Sequence, residues 1–468
     1  MSHRLTRRDF LKVGTMAAAA TVVSGCTGPL QRTEYLESYV EPPEEGLPGE
    51  NLWYASTCRQ CLAGCGVIVR ASSGRPRKIE GNPLHPLNQG KICARGQAAL
   101  QELYDPDRLR NAVRQPERGS QSYEPLYWPE ALAELARLIG GIEPASVAFL
   151  GGNLSTHMWE IVNRFTNALG ARAPVVYTLG DELNGQQALS RVSERLYGVD
   201  AVPLFDIAEA DAVFSFGANF LETWLSPVHY SRAYAQMRRG QLGHRGYLVQ
   251  FEPRLSSTAA CADEWVPIRP GSEEWVALGL GRIAVEEGLL DSMQYAGFYE
   301  GVSVPEVVEV SGVPAEELER LARIFASVPK QVAIPGGTVA GQRNGAAALS
   351  AVLALNQVAG QLGQPGGVYL PAESTVAGFG VPPISAYADV QALIADMDAG
   401  RVKLLLVHGA NPAFELPVAS GFRQALANVP SVVSFSPTVD ETAVQADLIL
   451  PDHTNLEAWG YHVPVVAD

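Results

Sequence analysis

Hydrophobic residues in this chain fall into short runs of strand character, set apart by longer stretches with helical period. The runs are SVAFLGG from Ser146, AVFSFGAN from Ala212, GYLVQFEP from Gly246, QVAIPGG from Gln331, LLLVHGANP from Leu404 and SVVSFSP from Ser431. Between them, WPEALAELARLIG from Trp128, EEWVALGLGRIAVEEGL from Glu273 and GAAALSAVLALNQVAGQLG from Gly345 predict helices. Strands this apolar are buried on both faces, and their alternation with helices predicts an α/β fold built on a mostly parallel sheet. The number of units predicts two such layers.

Several strands end in polar turns. Gly217-Ala218-Asn219 and Gly409-Ala410-Asn411-Pro412 nearly repeat one another, each directly after an apolar run. Glycine lets a ligand approach the backbone, and asparagine supplies both a donor and an acceptor. Open sheets hold phosphates and nucleotides at such strand ends. Either turn taken singly also reads as a plain turn; the duplication favours a nucleotide-like ligand.

The first 25 residues read as a transport signal. TRRDFLK from Thr6 places Arg7 and Arg8 before an apolar run from Val13 to Val23, and its 11 residues are too few to span a bilayer. This is the pattern of twin-arginine export, which carries folded proteins and so suits a cofactor inserted before export. Val23-Ser24-Gly25-Cys26 further resembles a lipoprotein processing site, with Cys26 as the lipidated residue that anchors the protein at the outer face of the membrane. An ordinary cleavage nearby is the alternative. Residues 27–49, rich in Pro, Glu and Gly, predict an extended tether.

Removal of the first 25 residues takes the net charge from -15 to -18, since four basic residues and one acidic residue leave with them. An acidic chain without a basic aromatic patch disfavours nucleic acid as a partner.

Of the 6 cysteines, four are arranged C-x2-C-x3-C-x27-C: Cys58, Cys61, Cys65 and Cys93. Three thiolates on one loop can wrap a corner of a cubane while the fourth returns from a distant loop, so one 4Fe-4S cluster is the economical reading. Structural zinc and two disulfides are the other readings. Covalent haem does not fit, because Leu62 stands where its histidine would be. A helix is predicted to begin near Gly96.

These features join into a resemblance. The cysteine motif, GKICARG from Gly90 and YDPDRL from Tyr104 resemble the opening of the molybdopterin bis-guanine-dinucleotide oxidoreductases. The likeness continues through FGANFLETWLSP from Phe216, Glu252-Pro253-Arg254, IRPGSEEW from Ile268, LNQVAGQLGQPGG from Leu355, HGANP from His408 and ETAVQADLILPDHTNLEAWG from Glu441. Within that superfamily, FLETWLSPVHYSRAY and ADEWVPIRPGSEEW are most similar to the large B subunit of alternative complex III and related periplasmic quinone reductase complexes.

The resemblance implies a molybdoenzyme-like large-subunit fold: a small iron-sulfur domain at 51–115 after the signal (1–25) and lipidated tether (26–50), then two discontinuous Rossmann-like αβα domains over 116–468. A C-terminal barrel domain is expected to be absent. It makes Cys58, Cys61, Cys65 and Cys93 the cluster ligands and Arg95 the cation between cluster and pterin. Gly217, Asn219, Glu222, Glu252 and Glu273 would belong to one dinucleotide site, and Gly409, Asn411 and Pro412 to another.

YTLGDELNGQQALSRV from Tyr177, where the family's metal ligand is expected, has no cysteine; Asp181, Glu182 and Ser190 are the nearby candidates. The resulting expectation is a respiratory electron-transfer subunit that relays electrons through one 4Fe-4S cluster without catalytic molybdenum. The alternative is a catalytic subunit holding molybdenum or tungsten on molybdopterin guanine dinucleotide. Expected partners are a ferredoxin-like iron-sulfur subunit, a quinone-binding integral membrane subunit and a multihaem cytochrome c.

Overall fold

Each of the apolar runs forms a strand that is almost wholly buried. The computed structural model describes residues 49–178, 185–239, 245–290, 296–371 and 380–465. The signal, Cys26 and nearly all of the tether lie outside these residues, as do Asp181 and Glu182. In chain order the first strands are β1 (Asn51–Thr57), β2 (Gly66–Ser72), β3 (Arg75–Gly81), β4 (Ala112–Arg114), β5 (Glu124–Leu126), β6 (Val147–Gly151), β7 (Val175–Val176) and β8 (Leu204–Phe205). They are followed by β9 (Ala212–Phe216), β10 (Tyr247–Glu252), β11 (Glu264–Pro267), β12 (Gln331–Pro335), β13 (Val368–Tyr369), β14 (Leu404–His408), β15 (Ser431–Ser434) and β16 (Leu448–Ile449).

Strands β1 to β3 make a small sheet, and β8 pairs with β13. A parallel sheet of order β11-β10-β9-β12 forms one layer. The other is β5-β4-β16-β15-β14-β6-β7, parallel from β16 to β7, with β4 and β5 added antiparallel at one edge. Its strands come from both sides of the four-stranded sheet in sequence, so the second layer is closed only by residues after 400. Among the described residues no sheet closes into a barrel.

The predicted helices form at Trp128–Gly140, Glu273–Glu286 and Gly345–Val358. The last stops short of the apolar pattern, because Gly360 turns the chain at φ +69°. Ala131 is the buried residue of the first helix, whereas the third buries ten of its residues and shows little polar face. No helix among the described residues is long and apolar enough to cross a membrane.

Residues 53–71 and 76–468 belong to one compact unit; the other, 1–52 with 72–75, is described only at 49–52 and in the turn between β2 and β3. The cysteine loop has no core of its own. Leu62, Ala63, Val67 and Ile79 share a hydrophobic cluster with Phe205, Val213, Phe220, Trp224 and Val332. Apolar burial therefore seats the cysteines against the four-stranded sheet. Arg232 Nη1 reinforces this by donating to Leu87 O at 2.9 Å.

Candidate iron-sulfur and dinucleotide site

Cys58 follows β1, Cys65 precedes β2, and Cys58 N donates to Cys65 O at 2.8 Å, pinching the loop that also carries Cys61. Cys93 arrives from the other side as the N-cap of the helix Ala94–Ala98. Gly96 on that helix makes room for Ile92, whose Cγ1 would stand 2.6 Å from an added Cβ, and that Cβ would face Cys58 Sγ at an ordinary contact distance of 3.6 Å. Cys58 and Cys65 are buried, and Cys61 and Cys93 are half-buried. The helix expected near Gly96 thus exists, and it delivers the fourth thiol.

All four thiols are free. Among the described residues no three His, Cys, Asp or Glu side chains converge as they would on one metal ion, yet the charges of Cys58, Cys61 and Cys93 all reach Cys65. Four free thiols within one another's electrostatic reach are a donor set that suits a four-iron cluster. Burial pushes the Cys58 thiol up to about 11 and the Cys65 thiol up to about 12, with neighbouring cysteines adding to both. Desolvation likewise raises Cys61. Burial thus keeps these groups as thiols until a cationic metal cluster draws off their protons, and four such sulfurs are the donor set an iron-sulfur cluster takes.

Arg95 lies exposed on the helix Ala94–Ala98, and its charge reaches Cys61. The residue that pattern reading passed over is Arg59, inside the cysteine loop. Arg59 Nη2 donates to Asn153 O at 2.9 Å, just beyond the end of β6. Its charge also reaches Cys58 and Asp452, while desolvation pulls the guanidinium below its ordinary range. The available signal was an arginine directly after the first cysteine. His462 Nε2 lies 3.1 Å from Leu62 O, tying residues near 460 to the same loop.

The first glycine-asparagine turn, where the resemblance places a dinucleotide, follows β9. Gly217 sits at φ +68°, in the left-handed region that favours glycine, and a Cβ there would meet Val339 Cγ2 at 2.7 Å. Asn219 and Glu252 are buried. With its amide set by its surroundings, Asn219 Nδ2 donates to Glu252 Oε2 at 3.3 Å and its Oδ1 accepts from Arg254 Nη2 at 3.2 Å. Glu252 Oε1 accepts from Ser256 N at 2.8 Å and Oε2 from Gln250 Nε2 at 3.0 Å. Glu222 Oε1 accepts from Ser257 N at 2.8 Å and stands 3.7 Å from Arg254.

Gly217, Asn219, Glu222 and Glu252 are therefore brought together, with Arg254 as an added cation. Glu252→Ala is expected to destabilise the protein by about 2 kcal/mol, because it strands the buried Ser256 N–H and the Gln250 amide. Urea unfolding measures this, with Glu252→Gln expected to retain part of the stability. Glu273 opens the helix Glu273–Glu286; burial raises its carboxyl above the ordinary range, and its Oε2 is buried without a partner among the described residues.

The second loop follows β14. Gly409 turns at φ +64°, and a Cβ added to it would meet nothing within 4 Å, so its backbone is open to a ligand. Asn411 Nδ2 donates to Glu441 Oε2 at 2.6 Å, while Oδ1 accepts from Thr442 Oγ1 at 2.7 Å and Thr442 N at 3.1 Å. Pro412, buried, starts the short helix Pro412–Glu415. The two GAN loops thus occupy corresponding strand ends in separate sheets. Ser190 lies elsewhere, on the helix Gln186–Tyr197, and its hydroxyl donates to Asp200 Oδ1 at 2.7 Å.

Four free cysteines seated beside a parallel sheet, with two glycine-asparagine strand ends, mark an α/β protein with an iron-sulfur-type domain. The chain belongs to the molybdopterin oxidoreductase family: that family's profile matches residues 108–464, and the molybdopterin oxidoreductase Fe4S4 domain matches residues 52–105.

It is 30% identical over 424 residues to the menaquinone reductase, molybdopterin-binding-like subunit, of Nitratidesulfovibrio vulgaris, covering 88% of this chain and 60% of that protein. It is 26% identical to the arsenate respiratory reductase molybdopterin-containing subunit of a Shewanella species, over 97% of this chain and 62% of the relative. It is 25% identical to the thiosulfate reductase molybdopterin-containing subunit of Salmonella typhimurium, over 97% and 64%. The chain thus spans 60–64% of the length of these curated relatives. Acetylene hydratase from Pelobacter acetylenicus has the same fold, with a TM-score of 0.71 at 19% identity, over 86% of this chain and 63% of that one.

These relatives correct one expectation. A relay subunit working without molybdenum is not what they support, since they include molybdopterin-containing subunits of arsenate and thiosulfate reductases and several nitrate reductases. That expectation rested on the missing cysteine after Tyr177 and on the expected absence of a C-terminal barrel domain, and the carboxylates of that stretch, Asp181 and Glu182, lie outside the described residues. The absence of one ligand type is weak ground, because carboxylate and hydroxyl oxygens also bind hard metals.

Proposed function

We propose that the chain is the catalytic subunit of a molybdenum or tungsten oxidoreductase holding two pterin guanine dinucleotides, with a 4Fe-4S cluster as its electron relay. The observation that carries this reading is the pair of matching strand-end loops, one on each sheet. Gly217, Asn219, Glu222, Glu252 and Glu273 would hold one dinucleotide, and Gly409, Asn411 and Pro412 the other. The open backbone at Gly409 and the unpartnered Glu273 Oε2 suit such a guest. The bound metal supplies two-electron exchange with substrate, while the protein supplies position and electrostatics.

The substrate class is a small inorganic oxyanion, following the arsenate, thiosulfate and nitrate reductases among the relatives. The setting is a quinone-linked complex related to the menaquinone reductase and to alternative complex III. A ferredoxin-like subunit, a quinone-binding membrane subunit and a multihaem cytochrome c would be its partners. Twin-arginine export and lipidation at Cys26 would place it at the outer face of the cytoplasmic membrane.

Elemental analysis tests the catalytic reading. Anaerobically purified chain from molybdate- or tungstate-fed cells is expected to hold about four irons and about one molybdenum or tungsten, and to release guanine nucleotide on acid hydrolysis. Iron with neither heavy metal nor guanine nucleotide would rule the reading out.

A further inference from the structure

The cysteine loop meets the ends of β6 and β14 at Arg59. Its Nη2 donates to Asn153 O at 2.9 Å, and Asn153 Nδ2 donates back to Arg59 O at 3.3 Å. Arg59 is the chain neighbour of Cys58, and the charge of Asp452 reaches its guanidinium. Asp452 Oδ2 lies 2.6 Å from Nε2 of His408, the last residue of β14. Gly152 N donates to His408 O at 2.8 Å, so the two strand ends are joined at this point. Arg59 Nε, Asn153 Oδ1 and His408 Nδ1 are all buried without a partner among the described residues.

We propose that Arg59 is the cation that sets the reduction potential of the cluster and couples it electrostatically to the strand-end loops, with Asp452 as its opposing charge. Arg95, the residue that the resemblance assigns to this position, is exposed, and water and salt screen an exposed charge. Arg59 is half-buried and fixed at both ends, so its field is screened less. Reduction gives the cluster one electron, supplied in a titration by dithionite, and adds one negative charge. No proton moves at Arg59, since a guanidinium stays charged. Removing the Arg59 charge therefore lowers the midpoint, and removing the Asp452 charge raises it.

Opposite signs separate this role from a merely structural one. The experiment is an anaerobic potentiometric titration, read by electron paramagnetic resonance, of the full chain with its cluster.

Arg59→Gln is expected to weaken reduction about tenfold or more, a fall of about 59 mV for one electron. Arg59→Lys keeps the charge and is expected to stay within about threefold. Arg95→Gln is expected to stay within about threefold as well. Asp452→Asn is expected to shift the midpoint upward. An unchanged midpoint in iron-replete Arg59→Gln overturns the proposal, and so does a shift in Arg95→Gln as large as that in Arg59→Gln. If Arg59→Gln fails to hold iron, Asp452→Asn decides: an upward shift supports the role, and a null or downward shift overturns it. The inference concerns the cluster alone, so an absence of molybdenum and tungsten would remove the catalytic reading and leave this one standing.

Discussion

Cys58→Ser is expected to empty the cluster site, dropping iron from about four per chain to near zero and abolishing the visible absorption of the protein. The effect is large because the thiols are not independent. With one ligand gone, the half-buried Cys61 and the buried Cys65 favour their protonated forms, since desolvation raises both. The loop then loses the metal that fixes it, although Leu62, Ala63 and Val67 still hold its apolar side on the four-stranded sheet. Stability should fall together with iron, because metal binding is linked to folding. Cys261→Ser is the control: Cys261 is exposed and outside the quartet, so its iron content should match the wild type. Full iron in Cys58→Ser, or lost iron in Cys261→Ser, would disprove the ligand assignment.

Gly152→Ala should be the most damaging single methyl group in the seven-stranded layer. A Cβ at this position would stand 1.7 Å from Gly409 O and 2.4 Å from Gly409 C. Both are backbone atoms, so no flexible side chain can yield, and the ends of β6 and β14 must separate. Forced overpacking of this kind is expected to cost about 3 kcal/mol or more. The clash falls on the loop proposed to hold the second dinucleotide, so bound guanine nucleotide should fall as well. Urea unfolding and nucleotide release measure the two effects, and wild-type values for both would contradict the close approach of the loops. Gly409→Ala makes a useful comparison: it has open space but a φ of +64°, so its cost should be smaller and come from backbone strain alone.

Much of this architecture was legible in periodicity. Continuous apolar runs such as AVFSF and LLLVH could only be strands buried on both faces, and they are β9 and β14 at the centres of the two sheets. The repeated GAN turns were readable for the same local reason, since glycine after a buried strand marks a sharp change of direction. The quartet was readable from spacing, because three cysteines within one turn of loop leave few geometries. Asp181 and Glu182 illustrate the opposite case: the missing cysteine suggested the loss of a metal site, and the molybdopterin-containing relatives overturned that inference.

The sequence by itself determined the strands, the two glycine-asparagine strand ends and the three-cysteine loop, since each depends on residues close together in the chain. Only the tertiary structure decided that the seven-stranded layer is assembled from both sides of the other sheet. It also decided that Asn411 is held by Glu441 and Thr442, that Arg95 faces solvent, and that Arg59, beside Cys58, is bonded to Asn153 within reach of the charge of Asp452. Burial and charge contact between residues hundreds of positions apart follow from strand order and packing, and local patterning carries no record of either.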